Sequence, residues 1–488
     1  MDKNILRSLD EVKKELRKED RSLRNRIESI LFDNNFLEHK VIPTFHKFPV
    51  VPNERCGVWY CDPQNYKQTS YFKSTDGHIN QWDFSTRRLN FHLFPLLADN
   101  GGIIIVDSTR RGKKIPDALS KTIPIWCAVL NGLMLKDTNQ DIAYDQLLYV
   151  PPETVSSSER SRMVKRLPEL IEKVERLNIF DGKAVYESLN QRLLRPFWIY
   201  PGSDLLESSK DVFTGEIVNQ EWSLPDDSDI IPIILCTVSY QAQDGVDKRN
   251  GFTYHQGAAD DHELWSNGLE PDMFWKHIDE FEAMKGSDEN IEQLVDEITK
   301  EEEVKKLGQK GSSSITHAFE NIDIITKEIQ LAVVIDGLTI KKALVEELKK
   351  SFSKVIILSD TVKLSDDIDN NSISFIKIYP LQSGSKKSSK KLRTKLIEID
   401  QDVRSIVYDI EKPILICCNS GKDMSIGVIL IVLSKFYTQN WQLVEEGKTP
   451  SISKITIRKH LTTVIAHLQG RNVNPSRATL NSVNSYLM

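Results

Sequence analysis

Apolar residues at helical spacing open the chain: Ile5, Leu9, Val12, Leu16, Leu23, Ile27 and Ile30 predict an amphipathic helix over residues 5–31, with basic residues on its other faces. Uninterrupted apolar runs at 102–106 (GIIIV) and 230–238 (IIPIILCTV) predict buried strands, and 162–194 reads as mainly helical. An acidic stretch over 278–304 reads as an exposed helix and leads into LGQKGSSS, whose Gly/Ser composition marks a boundary. Beyond it, strands at 329–335, 354–358, 372–378 and 414–418 alternate with helices around ALVEELKKSF, 394–408 and GVILIVLSKFY. Such alternation predicts an α/β domain with a mainly parallel central sheet flanked by helices. The pattern divides the chain into a basic amphipathic helix (1–35), a mixed α/β domain (36–277), an acidic helical linker (278–314) and a C-terminal α/β domain (315–488).

Composition narrows the function classes. Of 488 residues 40% are hydrophobic and 27% charged, an ordinary globular balance. No segment offers the ~18 uninterrupted apolar residues of a membrane helix, and the N-terminus lacks a secretory pattern. Six cysteines without a CxxC pair predict neither a disulfide scaffold nor structural zinc, which favours a reducing compartment: the cytoplasm, with the nucleus left open. The net charge of −6 does not exclude nucleic acid, because charge acts locally, within a Debye length of about 8 Å, and here it is segregated. Lys14, Arg17 and Arg21 on the first helix, and Lys387 and Lys391 in the run KKSSKKLRTK, are candidate RNA-backbone contacts; a solvated helix face is the plain alternative.

The sharpest local feature is ILICCNSGKDMSIGVIL, residues 414–430: a buried strand, a short loop with Gly421 and a helix start. Backbone N–H groups and the helix dipole converge on such a loop, so Cys418, Asn419, Ser420, Gly421, Lys422 and Ser425 are candidate phosphate ligands. The segment resembles the loop of dual-specificity phosphatases, His-Cys-x-x-Gly-x-x-Arg-Ser. In that register Cys417 takes the His position, Cys418 the nucleophile, Gly421 the Gly and Ser425 the Ser, while Met424 stands where the family has Arg. Met cannot replace the planar fork that clamps a phosphoryl group. The resemblance, over about residues 315–488, therefore implies the fold and a phosphate binder that has lost hydrolysis.

Two further segments set arginines beside small hydroxyl residues: Ser85-Thr86-Arg87-Arg88 and Asp107-Ser108-Thr109-Arg110-Arg111-Gly112-Lys113. Arg87, Arg88, Arg110, Arg111 and Lys113 are candidate ligands for donor phosphates or RNA backbone, with exposed basic turns as the alternative. Asp76-Gly77-His78, Trp82 and His92 lie around them. Asp260 and Asp261, within HQGAADDHELW, and Asp107 are candidate acids; the pair offers a Mg²⁺ site or a base that takes a proton from a sugar hydroxyl or, equally, caps a helix starting near Asp261. A zinc site through His255, His262 and Glu263 matches no standard spacing.

Taken in order over nearly the full length, DGHINQWDFSTRRLNFHLFPL, GGIIIVDSTRRGKKIPDALSKTIPIWCAVLN, HQGAADDHELWSNGL, CCNSGKDMSIGVIL and PSRATLNSVNSYLM resemble the initiator-tRNA 2′-O-ribosyl-phosphate transferase family of fungi and plants. The resemblance implies transfer of ribosyl-phosphate from 5-phosphoribosyl 1-pyrophosphate, with Mg²⁺ or another divalent cation, to the ribose 2′-hydroxyl of the adenosine at position 64 of initiator tRNA, which keeps that tRNA out of elongation. No membrane and no obligate protein partner are expected. Lys422 and Asp423 are the catalytic candidates, Asp423 as base or metal contact, so Asp423→Asn is expected to abolish transfer with the fold intact. The competing readings are a phosphatase acting through Cys418 and a non-catalytic RNA-binding phosphate clamp.

Overall fold

Two parallel-stranded sheets organise the chain, each in its own unit. The computed structural model describes residues 22–86, 88–141, 143–177, 179–203, 206, 209–210, 217–218, 222, 225, 228–284, 287–308, 315–369, 374–382, 386–408, 411–448, 450–468, 473 and 475–488. One unit runs to Ser85 and from Leu93 to Lys300; the other comprises Thr86–His92 and Glu301–Met488.

In the first unit, strands β1 (Val50–Pro52), β2 (Ile103–Asp107), β3 (Leu193–Ile199) and β4 (Ile230–Thr237) form a sheet ordered β1-β2-β4-β3. All pairings are parallel, with Ile103 opposite Ile233 and Asp107 opposite Thr237. Every residue of β2 is buried, as expected for a strand covered on both faces. A hairpin of β5 (Val246–Arg249) and β6 (Phe252–His255) follows β4. Helix α1 (Leu23–Phe36) sends Leu23, Ile27 and Ile30 into the core, so this part of the first predicted helix is integral to the unit. Lys14, Arg17 and Arg21 lie outside the described residues. The stretch Ala118–Asp137, ending in helix α2 (Ile123–Asp137), is apolar and long enough by composition to cross a bilayer, yet it is buried from Ala118 to Leu135 and serves as the core helix.

The acidic segment has an inward face. In helix α3 (Asp288–Gly308), Ile291, Leu294, Val295 and Ile298 recur at i, i+3, i+4 and i+7 and pack into the same core as α1. Up to Lys300 this helix belongs to the first unit, where the sequence suggested an exposed linker.

The second unit is built on β7 (Phe319–Ile324), β8 (Ile329–Val334), β9 (Lys354–Leu358), β10 (Ile376–Tyr379) and β11 (Ile414–Cys418), ordered β10-β9-β11-β8-β7. Only β7 among them runs antiparallel to its neighbour. Side chains alternate across the sheet: Ile414, Ile416 and Cys418 join one apolar cluster, and Leu415 and Cys417 the other. Helix α4 (Lys386–Arg404) buries Leu392, Leu396, Ile399 and Val403 and leaves Lys387 and Lys391 exposed. Helix α5 (Met424–Phe436) follows the β11 loop, and α6 (Arg477–Leu487) closes the chain.

Candidate active site

Open parallel sheets bind ligands beyond the carboxyl ends of their strands, where backbone groups and loops converge. In the first unit that edge carries a cavity of about 560 Å³, within the ~300–1,000 Å³ of typical ligand sites. Two loops wall it. One follows β2 and supplies Ser108, Thr109, Arg110, Arg111 and Lys113; the other supplies Lys73, Ser74, Thr75 and His78. Arg55, Tyr71, Pro116, Asp117 and Asp260 complete the lining. Five basic side chains against two carboxylates give it a cationic lining, of the kind that suits an anion.

The β2 loop is held by the chain around it. Gly112 adopts φ +70°, and a Cβ there would stand 2.7 Å from the Gln243 carbonyl oxygen. Gln256 Oε1 accepts from the Gly112 N–H (2.8 Å), its Nε2 donates to the Lys113 carbonyl (2.6 Å), and the Thr109 N–H donates to Ser239 Oγ (3.0 Å). These bonds place Arg110 and Arg111 without using their guanidinium groups.

Asp260 orients the arginines. It accepts from Arg55 Nη2 (3.0 Å), Arg110 Nε (3.0 Å) and the Cys56 thiol (2.9 Å). Burial first, then the carboxylates of Asp107 and Asp260, push the Cys56 thiol up, which keeps it a neutral donor. Asp261 accepts from Arg110 Nη1 (2.7 Å), and that hydrogen bond holds its carboxyl below the usual range. Asp261 sits at φ +52° and makes no side-chain cap on the short turn His262–Leu264, so capping is not the role of this pair. Nor is the pair arranged for Mg²⁺: both Asp260 oxygens and Asp261 Oδ2 already face guanidinium groups, and no cluster of metal-ligating side chains forms among the described residues, His255, His262 and Glu263 included. Asp107 accepts from Asn53 Nδ2 (2.8 Å) and the Ser108 N–H (2.9 Å), and burial pushes its carboxyl up to about 6.

A buried hydroxyl of the lining marks a place for a ligand atom. Ser74 Oγ, in the cavity wall, is buried and has no hydrogen-bond partner among the described residues, a cost a bound acceptor oxygen would remove.

The β11 loop differs. Cys418 is fully buried, its Sγ lying 3.1 Å from Ser425 Oγ and 3.5 Å from Ser420 Oγ. Asn419 Nδ2 donates to Asp336 Oδ1 (3.2 Å), and Gly421 adopts φ +59°. Met424, in the arginine position of the phosphatase pattern, is buried in the core, and Lys422 is exposed. Asp423, expected as base or metal contact, accepts from the Ser476 N–H (2.8 Å) at the start of α6 and is buried there. Of the other arginines, Arg87 lies outside the described residues and Arg88 falls in the segment grouped with the second unit, so the structure does not join either to Arg110 and Arg111. Arg55, Lys73, Ser74 and Asp117 escaped the sequence reading; the run Lys73-Ser74-Thr75-Asp76-Gly77-His78, with its basic, hydroxyl and glycine residues, was the available signal.

Residues 16–300 match the Rit1 N-terminal domain, and 375–487 match the Rit1 DUSP-like domain. The chain belongs to the Rit1 family. A tRNA A64-2′-O-ribosylphosphate transferase of Saccharomyces cerevisiae is 56% identical over 496 aligned residues, covering 100% of this chain and 96% of the relative. An uncharacterized protein of Schizosaccharomyces pombe is 31% identical over 475, covering 95% and 94%. No solved structure matches. Apart from Thr86–His92, the N-terminal match falls on the first unit and the DUSP-like match on the second, and the cationic cavity lies wholly in the Rit1 N-terminal domain.

Proposed function

We propose that this protein transfers ribosyl-phosphate from 5-phosphoribosyl 1-pyrophosphate to the 2′-hydroxyl of the adenosine at position 64 of initiator tRNA. The full-length match to the S. cerevisiae transferase carries the reaction. The cationic cavity carries its location. A donor with a phosphate at one end and a diphosphate at the other needs cations at both, and Arg55, Lys73, Arg110, Arg111 and Lys113 supply them around one space. Each charge-assisted hydrogen bond is worth roughly 1.5–3 kcal/mol, and those to the diphosphate strengthen as it leaves with negative charge.

Ser74 Oγ and the hydroxyls of Ser108 and Thr109 serve as neutral donors. A divalent cation, if the reaction uses one, arrives with the diphosphate: the Asp260–Asp261 pair is committed to Arg55 and Arg110. Asp423 acts within the fold, its Oδ1 accepting from the Ser476 N–H. Ser420, Gly421, Lys422 and Ser425 remain a second candidate anion loop. Lys387 and Lys391 on α4, together with Lys14, Arg17 and Arg21, are proposed contacts to the tRNA backbone.

The phosphatase reading is not proposed, since a buried Met424 replaces the arginine that would clamp the phosphoryl group. The test is incubation of the protein with initiator tRNA, donor and Mg²⁺, followed by mass analysis of ribonuclease fragments. A T-stem fragment heavier by one ribosyl-phosphate, only when donor is present, is expected. Binding of tRNA with no mass gain would establish a phosphate clamp instead.

A further inference from the structure

We propose that His78, held by Asp117, is the base that takes the proton from the acceptor 2′-hydroxyl; the inference rests on the donor occupying the cavity of the first unit. Both side chains line that cavity, with His78 Nε2 3.4 Å from Asp117 Oδ2. The histidine is half exposed, at 53%, so a macromolecular acceptor can reach it, whereas Asp117 is mostly buried, at 15%.

The carboxylate is fixed from two further sides. Lys113 Nζ lies 3.1 Å from Asp117 Oδ2, and Lys121 Nζ 3.6 Å from Oδ1. Lys121 is itself buried and bound to Glu159 (2.9 Å), which also accepts from Trp82 Nε1 (3.0 Å). A carboxylate that cannot swing away orients the imidazole beside it. With Nε2 turned toward Asp117, the neutral imidazole this inference requires carries its proton on Nε2 and offers Nδ1 to the acceptor.

The loop is built to bring the two together. A Cβ on Gly77 would stand 2.7 Å from the Asp117 carbonyl oxygen and 2.8 Å from Thr122 Oγ1, so only glycine lets the turn before His78 lie against the start of the core helix. The Thr122 hydroxyl donates to the Lys73 carbonyl (2.9 Å), pinning the other end of the same turn.

Elimination leads to the same residue. The other carboxylate of the cavity, Asp260, is shared between Arg55 and Arg110, and the remaining polar groups of the lining are cations and hydroxyls. In the step itself the acceptor 2′-oxygen bonds to the anomeric carbon, and its proton passes to His78 Nδ1. The bond from that carbon to the diphosphate oxygen breaks, and pyrophosphate leaves with the electron pair.

The test uses the full chain. His78→Ala should keep the wild-type melting temperature, lower kcat by ~10²–10³-fold and leave KM for donor and for tRNA within about 3-fold. Added imidazole should restore part of the rate to His78→Ala and none to Arg110→Ala, a response a structural role for His78 would not give. Asp117→Asn, the positioning change, should lower kcat by about 10-fold without imidazole rescue. An active wild type beside a fully active His78→Ala, or a loss that appears only in KM and is not rescued, overturns the inference alone. A wild type that transfers nothing overturns the functional reading and this inference with it.

Discussion

The two loops that follow the central strands β2 and β11 start from the same design and end differently. Each leaves a fully buried parallel strand, turns through a glycine at positive φ (Gly112 at +70°, Gly421 at +59°) and leads toward an apolar, buried helical segment. In the first, hydrogen bonds from Gln256 and Ser239 fix the backbone, and the charged side chains stand in a cavity. In the second, the groups that would serve a phosphate are spent on the protein: Cys418 on Ser425, Asn419 on Asp336 and Asp423 on Ser476. Loop shape alone therefore does not make an active site. Several basic side chains converging on one cavity distinguish the first loop, whereas the phosphatase-like loop, with Lys422 exposed, lacks the arginine of its pattern.

The widest way to break this comparison is to remove a cation from one loop and the thiol from the other. Arg110→Ala should lower transfer by ~10²–10³-fold, since it strips a wall cation and leaves Asp260 and Asp261 with fewer partners. Cys418→Ser should stay within about 3-fold of wild type. The opposite ranking in a steady-state assay would move the donor to the second unit.

Next come the residues that end the two strands. Asp107 has its folded carboxyl raised by burial to about 6, against ~3.9 for an unperturbed one. The fold therefore favours its neutral form, and this contribution to stability is full below pH ~4 and lost as pH rises through about 6. Asp107→Asn cannot ionise, so the stability of the variant relative to wild type should climb by on the order of 3 kcal/mol from pH 4 to 7 in denaturant melts. A flat difference would mean the carboxyl is not held neutral.

Gly77→Ala sharpens the contrast further. The Cβ meets backbone and a buried hydroxyl, so a loss of about 1–3 kcal/mol in stability is expected, together with a fall in kcat. Normal kcat in a folded Gly77→Ala protein would show that the approach of this turn to Asp117 is not needed. Smallest is the effect of the exposed α4 lysines: Lys387→Ala and Lys391→Ala should each lower the salt dependence of tRNA binding by about one unit of slope and leave donor KM unchanged. An unchanged slope would remove α4 from the RNA surface.

The elements were legible because burial leaves a local trace. GIIIV, IIPIILCTV and ILICC could be read as strands, and the i, i+3, i+4, i+7 stripe of α3 was present in the sequence although its acidic face suggested an exposed linker. Family membership was legible too, since motifs in fixed order over the whole chain are carried by the primary structure. The Arg-rich segment after β2 was visible as chemistry, with its alternatives still open.

What the sequence determined, then, was the strands, the helices, the family and the cationic composition of one loop. The tertiary structure alone decided which of these groups meet. Arg55, Lys73, His78, Arg110, Asp117 and Asp260 share one cavity because the loops after β1 and β2 meet the 73–78 turn, the start of the core helix and the segment after the β5–β6 hairpin. It also decided which acids are spoken for, since nothing near Asp260 or Asp423 in sequence shows that Arg55, Arg110 and the Ser476 N–H lie against them. The reason is range: side-chain periodicity registers burial within a few residues, whereas hydrogen bonds and ion pairs form between atoms about 3 Å apart in space, however far apart in the chain.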